Sequence, residues 1–400
     1  MHIGIAGPVA TADVAHLLEA PSSPLPRGYA GAPLTGLLIG ELLRRGHRVS
    51  AFTLSSDLPL HPKATLVARG PNFELHCCPM RPRAWPFNGW RVGRIVDLYA
   101  FERRGLQRAI AQAQPQVVHA HWAYEFAWAA LRSGLPHVVT CHDSPFVVAR
   151  FQRDFRRGAY RWLRAGMAWH VLRNARRVTT VSPYMVKQVE PLCRVPVSVV
   201  PNPVGACADG PRCAAARVDR SRVVMAANGW GALKNGVSAL RAFALLSERL
   251  PGVELDVYGA DHGENGPARK WWSQSGLRGT VNFKGAVSHA QLLGALNSAD
   301  VFLHASLEES FGAVLAEAAA AGVPVVAGVA SGAVPWVVGE AGRLVDVTRP
   351  LHIAGALHGL LVDRTERERL GRIGRQRAQT AFAVSAVVDA YEREYRSAMQ

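Results

Sequence analysis

The residues with most to offer chemically stand in one run, Glu308-Glu309-Ser310-Phe311-Gly312-Ala313-Val314-Leu315-Ala316-Glu317. Apolar spacing predicts a helix over 311–321, with Glu309 just before it and Glu317 on it, about two turns further along. Both carboxylates then face a ligand lying along the start of the helix. The first N–H groups of a helix have no partner inside it, and its dipole favours an anion such as a diphosphate. One carboxylate would grip sugar hydroxyls and the other a ribose. The plainer reading is a capping carboxylate followed by a surface glutamate. A second set is histidine-rich. His119 and His121 alternate on one face of a predicted strand, and His142-Asp143 follows the next strand. A metal site is one reading of that set, but no second ligand cluster at metal spacing accompanies it. Nor does any nucleophile–base pair of the triad type appear.

These residues need strand ends and helix starts to hold them, and the chain supplies both twice. The first half alternates strand and helix signals, as a parallel α/β sheet does. Strands are expected at 2–6, 48–54, 116–121, 136–141, 178–182 and 197–200, and helices at 34–45 and 103–112. A long basic helix is expected over 146–174. Its Arg150, Arg153, Arg157, Arg161 and Arg164 recur every three or four residues and make one stripe, with Phe151, Phe155 and Trp162 on another face. Pro201-Asn202-Pro203 and the aperiodic 206–220 mark a boundary. The alternation then restarts, with strands at 222–227, 255–258, 281–284, 301–304 and 323–327 and helices at 236–249 and 311–321. The expected domains are 1–200 and 201–382, with a last helix in 383–400 that crosses back to the first.

Several motifs, in order, resemble the retaining glycosyltransferases of family 4. The run E-S-F-G-x-x-x-x-E-A-x-x-x-G-x-P-V-V-A ending at Ala327 resembles that family's donor-site signature. Gly46-His47-Arg48-Val49, Val117-Val118-His119-Ala120-His121, Val178-Thr179-Thr180-Val181-Ser182, Val200-Pro201-Asn202-Pro203, Asn282-Phe283-Lys284-Gly285 and Ala299-Asp300-Val301-Phe302-Leu303 resemble its other conserved steps. The resemblance implies the GT-B architecture, two Rossmann-like α/β domains facing across an interdomain cleft. It implies that Glu309 holds donor-sugar hydroxyls, that Glu317 binds the nucleotide ribose, and that the backbone from Phe311 through Gly312 and Val314 to Leu315, beside Ser310, meets the diphosphate. Lys234 matches the family's phosphate lysine, so no metal or other cofactor is expected. Gly28 and Gly31 would bring a loop close to the phosphates, and His121 would lie near the sugar, leaving His119 a structural part. Asp143 fits an acceptor contact and a helix N-cap equally. Two positions depart from the pattern: Gly229 stands where the family has an arginine, and Trp336 follows Pro335 where an acid is usual. Front-face attack, with the departing phosphate helping to take the acceptor proton, is the mechanism the resemblance implies.

Charge bears on partners. The chain carries a formal +16. Residues 1–200 hold 25 Lys and Arg against 11 Asp and Glu, whereas 201–400 hold 21 against 19. An excess confined to one half predicts an anionic partner for it. The expected partners are a nucleotide-sugar donor, a saccharide or lipid-linked acceptor, and an anionic membrane surface met by the first domain. Nucleic acid is not expected, because no RNA- or DNA-binding module is present. No run reads as a signal peptide or a membrane span, and the six cysteines fit no disulfide framework, so the expected location is the cytosol or the inner membrane face. The donor is expected to be a UDP-sugar, with GDP-mannose second, in envelope or extracellular polysaccharide assembly. A dinucleotide oxidoreductase is disfavoured by the glycine spacing of Gly4-Ile5-Ala6-Gly7-Pro8. A phosphorylase or nucleotide-sugar epimerase of the same fold, and a non-catalytic binding protein, are the remaining alternatives.

Overall fold

Short, apolar, β-branched runs pair side by side in two sheets. The structure, a computed structural model, describes residues 1–19, 24–61, 63–151, 154–205 and 221–400. They divide into two units, Met1–Pro203 with Val384–Gln400, and Val204–Ala383.

The sheet of the first unit contains β1 (His2–Ala6), β2 (Arg48–Ser55), β3 (Leu66–Gly70), β4 (Phe73–Pro79), β5 (Val117–His121), β6 (His137–Cys141), β7 (Arg177–Thr180) and β8 (Val197–Val199). Their spatial order is β3-β4-β2-β1-β5-β6-β7-β8, and only β3 runs antiparallel to its neighbour. β5 and β6 are buried along their whole length, as central strands covered on both faces must be. The β3–β4 pair, turning at Asn72 with φ 57°, was not expected from the sequence.

The C-terminal helix Val384–Met399 packs on this sheet. Its Val387, Val388, Tyr391 and Tyr395 join Ile3, Leu38, Val49 and Val138 in one core. Polar groups pin it as well. His119 Nδ1 lies 2.8 Å from the Tyr395 hydroxyl, and His119 Nε2 lies 2.7 Å from Thr140 Oγ1, which is itself 2.7 Å from Thr179 Oγ1. Burial, with a small addition from His142, pushes His119 down to about 3, so the ring is neutral. A neutral imidazole has one donor and one acceptor, and here both are used. His119 therefore cannot join His121 as a metal ligand. Among the described residues no three His, Cys, Asp or Glu side chains are arranged to hold an ion.

The long helix expected over 146–174 is two helices, Pro145–Arg150 and Phe155–Asn174. Asp154 restarts the chain by capping the second helix, its carboxylate accepting from the Arg157 N–H at 2.8 Å. The arginines do not form an outer stripe either. Arg164 turns inward, pairs with Glu125 at 3.0 Å and lies 3.8 Å over the Tyr124 ring. Arg153 lies outside the described residues, as does the aperiodic stretch 206–220.

The second unit has a fully parallel sheet of β9 (Arg222–Ala226), β10 (Glu254–Tyr258), β11 (Thr280–Gly285), β12 (Val301–His304), β13 (Val325–Gly328) and β14 (Gly342–Val345), in the order β11-β10-β9-β12-β13-β14. Helices Gly236–Arg249 and Pro350–Val362 close its core around Leu240, Phe243, Leu303, Ile353 and Leu357.

The Tyr395–His119 contact gives a direct test. Tyr395→Phe leaves a buried ring nitrogen without its partner and is expected to cost about 1–3 kcal/mol. Urea unfolding should show a lower midpoint at unchanged slope; an unchanged midpoint would mean that apolar packing alone holds the C-terminal helix.

Candidate functional site

In the second unit, loops that follow three parallel strands meet at Glu309. Lys234 ends a 3₁₀ turn, Ala232–Lys234, in the loop after β9. Glu309 lies five residues beyond His304, the last residue of β12. The Leu307 N–H donates to the Leu233 carbonyl at 2.8 Å, tying the two loops together. The Ala333 N–H donates to the Glu309 carbonyl at 2.9 Å, tying in the loop after β13. Asn235, held at φ 50°, donates its side-chain amide to the carbonyls of Ala305 (3.2 Å) and Val347 (2.8 Å). That cross-link fixes the residue next to Lys234.

Lys234 Nζ donates to Glu309 Oε1 at 2.6 Å, and His304 Nε2 lies 3.3 Å from the same oxygen. Burial pushes the Glu309 carboxyl up, but His304 and Lys234 together outweigh it and hold the group at about 2. Glu309 is thus an ionised acceptor. Lys234 carries three N–H donors, and the contact to Glu309 uses one of them.

The helix expected over 311–321 runs Ala313–Ala320, because Gly312 at φ 78° turns the chain before it starts. The positive φ of Gly312 is what favours glycine there; a Cβ would also meet Leu315 Cδ1 at 2.8 Å, a side-chain end that can move aside. Phe311 is buried edge-on against Phe382 and Trp336, so it anchors the loop by its ring. That contact gives Trp336 a packing role at the position where the family has an acid. The Leu315 N–H is already engaged by the Gly312 carbonyl at 2.9 Å, which removes it from the expected diphosphate-binding backbone. Ser310, Gly312 and Val314 stay at the mouth of the helix, and Val314 is half-buried. Glu317 sits on the same helix with Oε1 2.9 Å from His289 Nε2.

Gly229 has a positive φ of 103° with open space where a Cβ would point. The backbone there suits glycine, which gives a physical reason for the missing arginine. Trp230 follows, its N–H donating to Asp261 at 2.9 Å and its ring lying so close to Gly236 that a Cβ would meet it at 2.4 Å.

In the first unit, His121 closes β5 and is fully buried. Its Nδ1 lies 2.9 Å from His142 Nε2, just beyond β6, and its Nε2 finds no hydrogen-bond partner among the described residues. Burial, then the neighbouring His119 and His142, holds His121 well below the usual histidine range, and burial takes His142 down to about 3. Asp143 accepts from the Tyr124 hydroxyl at 3.1 Å on both oxygens, and burial raises its carboxyl. The N-cap position of the next helix belongs to Ser144. Gly28 does not form a free loop: it bridges to Ala10 after β1, and a Cβ would meet the Val9 carbonyl at 2.4 Å. Gly31, at φ 110°, has open space on its Cβ side.

His304 and Asn235 carry this geometry, yet their types alone did not mark them. The available signal was positional. His304 closes β12 as His121 closes β5, and Asn235 stands next to the lysine in a left-handed turn.

Comparison with known proteins follows the same division. Residues 35–205 match the model described as Glycosyltransferase Family 4, and residues 218–377 match Glycosyl transferases group 1. The chain is 36% identical over 172 residues to the MMP alpha-(1->4)-mannosyltransferase of Mycolicibacterium hassiacum, covering 42% of this chain and 41% of that protein. It is 33% identical over 145 residues to the lipopolysaccharide core biosynthesis glycosyltransferase LpsE of Rhizobium meliloti, covering 36% and 42%. The chain therefore spans about two-fifths of the length of the curated relatives it matches. Anabaena HepE, solved in complex with UDP and glucose, superimposes with a TM-score of 0.66 at 17% identity over 99% of both chains, a likeness of fold.

The ionisation of Glu309 is testable without a substrate. Its carboxyl sits below the ordinary 4.5, so its charged form contributes stability above that pH, and the contribution is lost as pH falls towards 2. His304→Asn and Lys234→Met are each expected to move its titration up towards 4.5, followed by carbon-13 NMR of the glutamate carboxyls. A resonance unmoved in both variants would show that other groups hold the charge.

Proposed function

Because the chain belongs to glycosyltransferase family 4 and has its GT-B fold, we propose that it moves a sugar from a nucleoside-diphosphate donor to a saccharide or lipid-linked acceptor, retaining the anomeric configuration and needing no metal. The observation that carries this reading is the Lys234–Glu309–His304 constellation beside the start of helix Ala313–Ala320. A carboxylate that only accepts suits sugar hydroxyls, which donate. A lysine with donors to spare suits a diphosphate whose charge grows as it leaves. The N–H groups at the helix mouth add to that stabilisation, and Glu317 takes the ribose hydroxyls.

In the proposed step, the bond from the anomeric carbon to the donor's phosphate oxygen breaks. The acceptor oxygen bonds to the same face of that carbon, and its proton passes to the departing phosphate. The chain supplies position and charge for this step. The family resemblance assigns His121, neutral at the end of β5 in the first unit, to the transferred sugar. The resemblance assigns the loop that carries Gly28 and Gly31 to the donor's phosphates, and both glycines have the positive φ of a turn. A UDP-sugar is the first donor, supported by the UDP-bound HepE likeness, and GDP-mannose the second, supported by the mannosyltransferase relative. Envelope or extracellular polysaccharide assembly at the inner membrane face is the setting, supported by the LpsE relative and by the basic first half. No helix among the described residues is long and apolar enough to cross a membrane.

A thermal-shift screen against UDP, GDP and ADP, their sugar conjugates and NAD(H) tests the donor. A ligand at about 100 times its Kd adds about 2.7 kcal/mol. The expected result is a clear shift with one nucleoside diphosphate, and turnover of that donor reduced at least about tenfold in Lys234→Ala and Glu309→Ala, which is about 1.4 kcal/mol each. A shift with NAD(H) alone, or full turnover in either variant, would overturn the reading.

A further inference from the structure

The helix Phe155–Asn174 is built inside out for a surface helix. Its inner face is small and aliphatic: Ala165, Met167, Ala168, Val171 and Leu172 are buried. Three of its large rings point the other way. Phe155, Trp162 and Trp169 are 86%, 52% and 47% exposed. They recur every seven residues, which puts them on one face. Gly158 and Gly166 lie between them and leave the rings standing clear. The helix also holds five arginines and no acidic residue. Arg164 is spent on Glu125 and Tyr124, which leaves Arg156, Arg157, Arg161 and Arg173 beside the rings.

The neighbouring loop repeats this chemistry. Residues 80–99 are joined to the helix where the Tyr99 and Tyr160 hydroxyls meet at 2.7 Å. Arg81, fully buried between Glu102 and Asp97, fixes the loop from inside. Outside, the loop exposes Trp90 and Phe87. Arg91 lies 3.9 Å over the Trp90 ring, and Arg83 donates to the Phe87 carbonyl at 3.2 Å.

Rings and arginines presented together on a helix with no acid of its own suit an interface that is apolar below and anionic above; the loop's Asp97 is held by Arg81, and Asp154 caps the helix start. We propose that the outer face of helix Phe155–Asn174 docks this protein on an anionic lipid bilayer, with the three rings entering the headgroup boundary and the arginines meeting phosphates. The sequence pattern assigned the contact to the arginines; the structure assigns the anchoring to the rings. A second copy of the chain is the other apolar partner to weigh. It would set an acid-free, five-arginine helix against itself, so charge favours the bilayer. The inference rests on the reading that the acceptor is met at a membrane, and not on the donor assignment.

The test uses the full chain in vesicle co-sedimentation, with phosphatidylcholine alone and with phosphatidylglycerol added. Binding is expected only to the anionic vesicles, with a blue shift of tryptophan emission. Phe155→Ser, Trp162→Ser and Trp169→Ser combined should weaken it at least about tenfold, with the circular dichroism spectrum and any UDP-dependent thermal shift unchanged. Arg156→Glu, Arg157→Glu and Arg173→Glu combined should abolish it at low salt. Three results would overturn the proposal: no vesicle binding by the parent chain, equal binding by the serine variant, or a parent dimer that the serine substitutions dissociate without any vesicle binding. Vesicle binding retained without any nucleotide shift would instead count against the donor reading and leave the docking surface standing.

Discussion

A parallel strand inside an α/β unit is covered on both faces, so its side chains are committed to packing and its polar chemistry is confined to its ends. Both units of this protein obey that constraint. In the first, His121 closes β5, and His142 and Asp143 lie just past β6. In the second, His304 closes β12, and the loops after β9 and β12 deliver Lys234 and Glu309. Apart from His121 and His304, which close β5 and β12, the strands contribute none of these groups; they set where the loops begin. The loops are then fixed to one another by backbone bonds such as Leu307 to Leu233 and Ala333 to Glu309.

Glu309 shows what such a site must balance. Removing a carboxylate from water favours its neutral form, and here that cost is real, because the group is largely enclosed. His304 and Lys234 on one oxygen reverse it. The arrangement needs three sharp turns, and each has its own device. Gly229 and Gly312 adopt positive φ where a side chain is disfavoured, and Asn235 does so while its amide bonds two carbonyls. Asparagine at such a position is more than tolerated: it exchanges a strained backbone for two hydrogen bonds that hold the lysine loop in place.

Much of this was legible in the sequence, and the parts that were not share a cause. Strands such as β1 and β12 announce themselves by a short apolar run, whereas the helix expected from Phe311 begins only after the turn at Gly312. Lys234 and Glu309 could each be named from type and spacing. That they pair could not, since their separation of 75 residues is closed only by the fold. The β3–β4 pair is harder to see: Phe73, Leu75 and Cys77 alternate with Glu74 and His76, but β3, Leu66–Gly70, is too short for a pattern. Helix Arg364–Ala381 is so polar that its buried face reduces to Leu370, Gly371, Gly374 and Ala378. Gly371 would clash with the Gly322 carbonyl at 2.3 Å if it carried a Cβ, so this glycine is a contact rather than a break.

The basic helix is the instructive failure. Periodicity reports which residues share a face; it does not say which face is inside. The usual rule sends arginines out and rings in, because an unpaired buried charge costs several kcal/mol. Glu125 removes that cost for Arg164, and the stacked Tyr124 ring adds to the compensation. With one arginine paired inward, the helix is rotated, and Ala165, Ala168 and Val171 suffice to fill the space against the sheet. Phe155, Trp162 and Trp169 then have nowhere to go but out. The exposure of the three large rings thus goes together with an inward arginine paired to a different helix, Glu125–Arg132. A helix of this kind is stable only where its outer face also finds a partner or where its inner contacts carry it alone. The apolar inner contacts of Ala165, Met167, Ala168, Val171 and Leu172 supply the second condition, so the rings are free to serve the first.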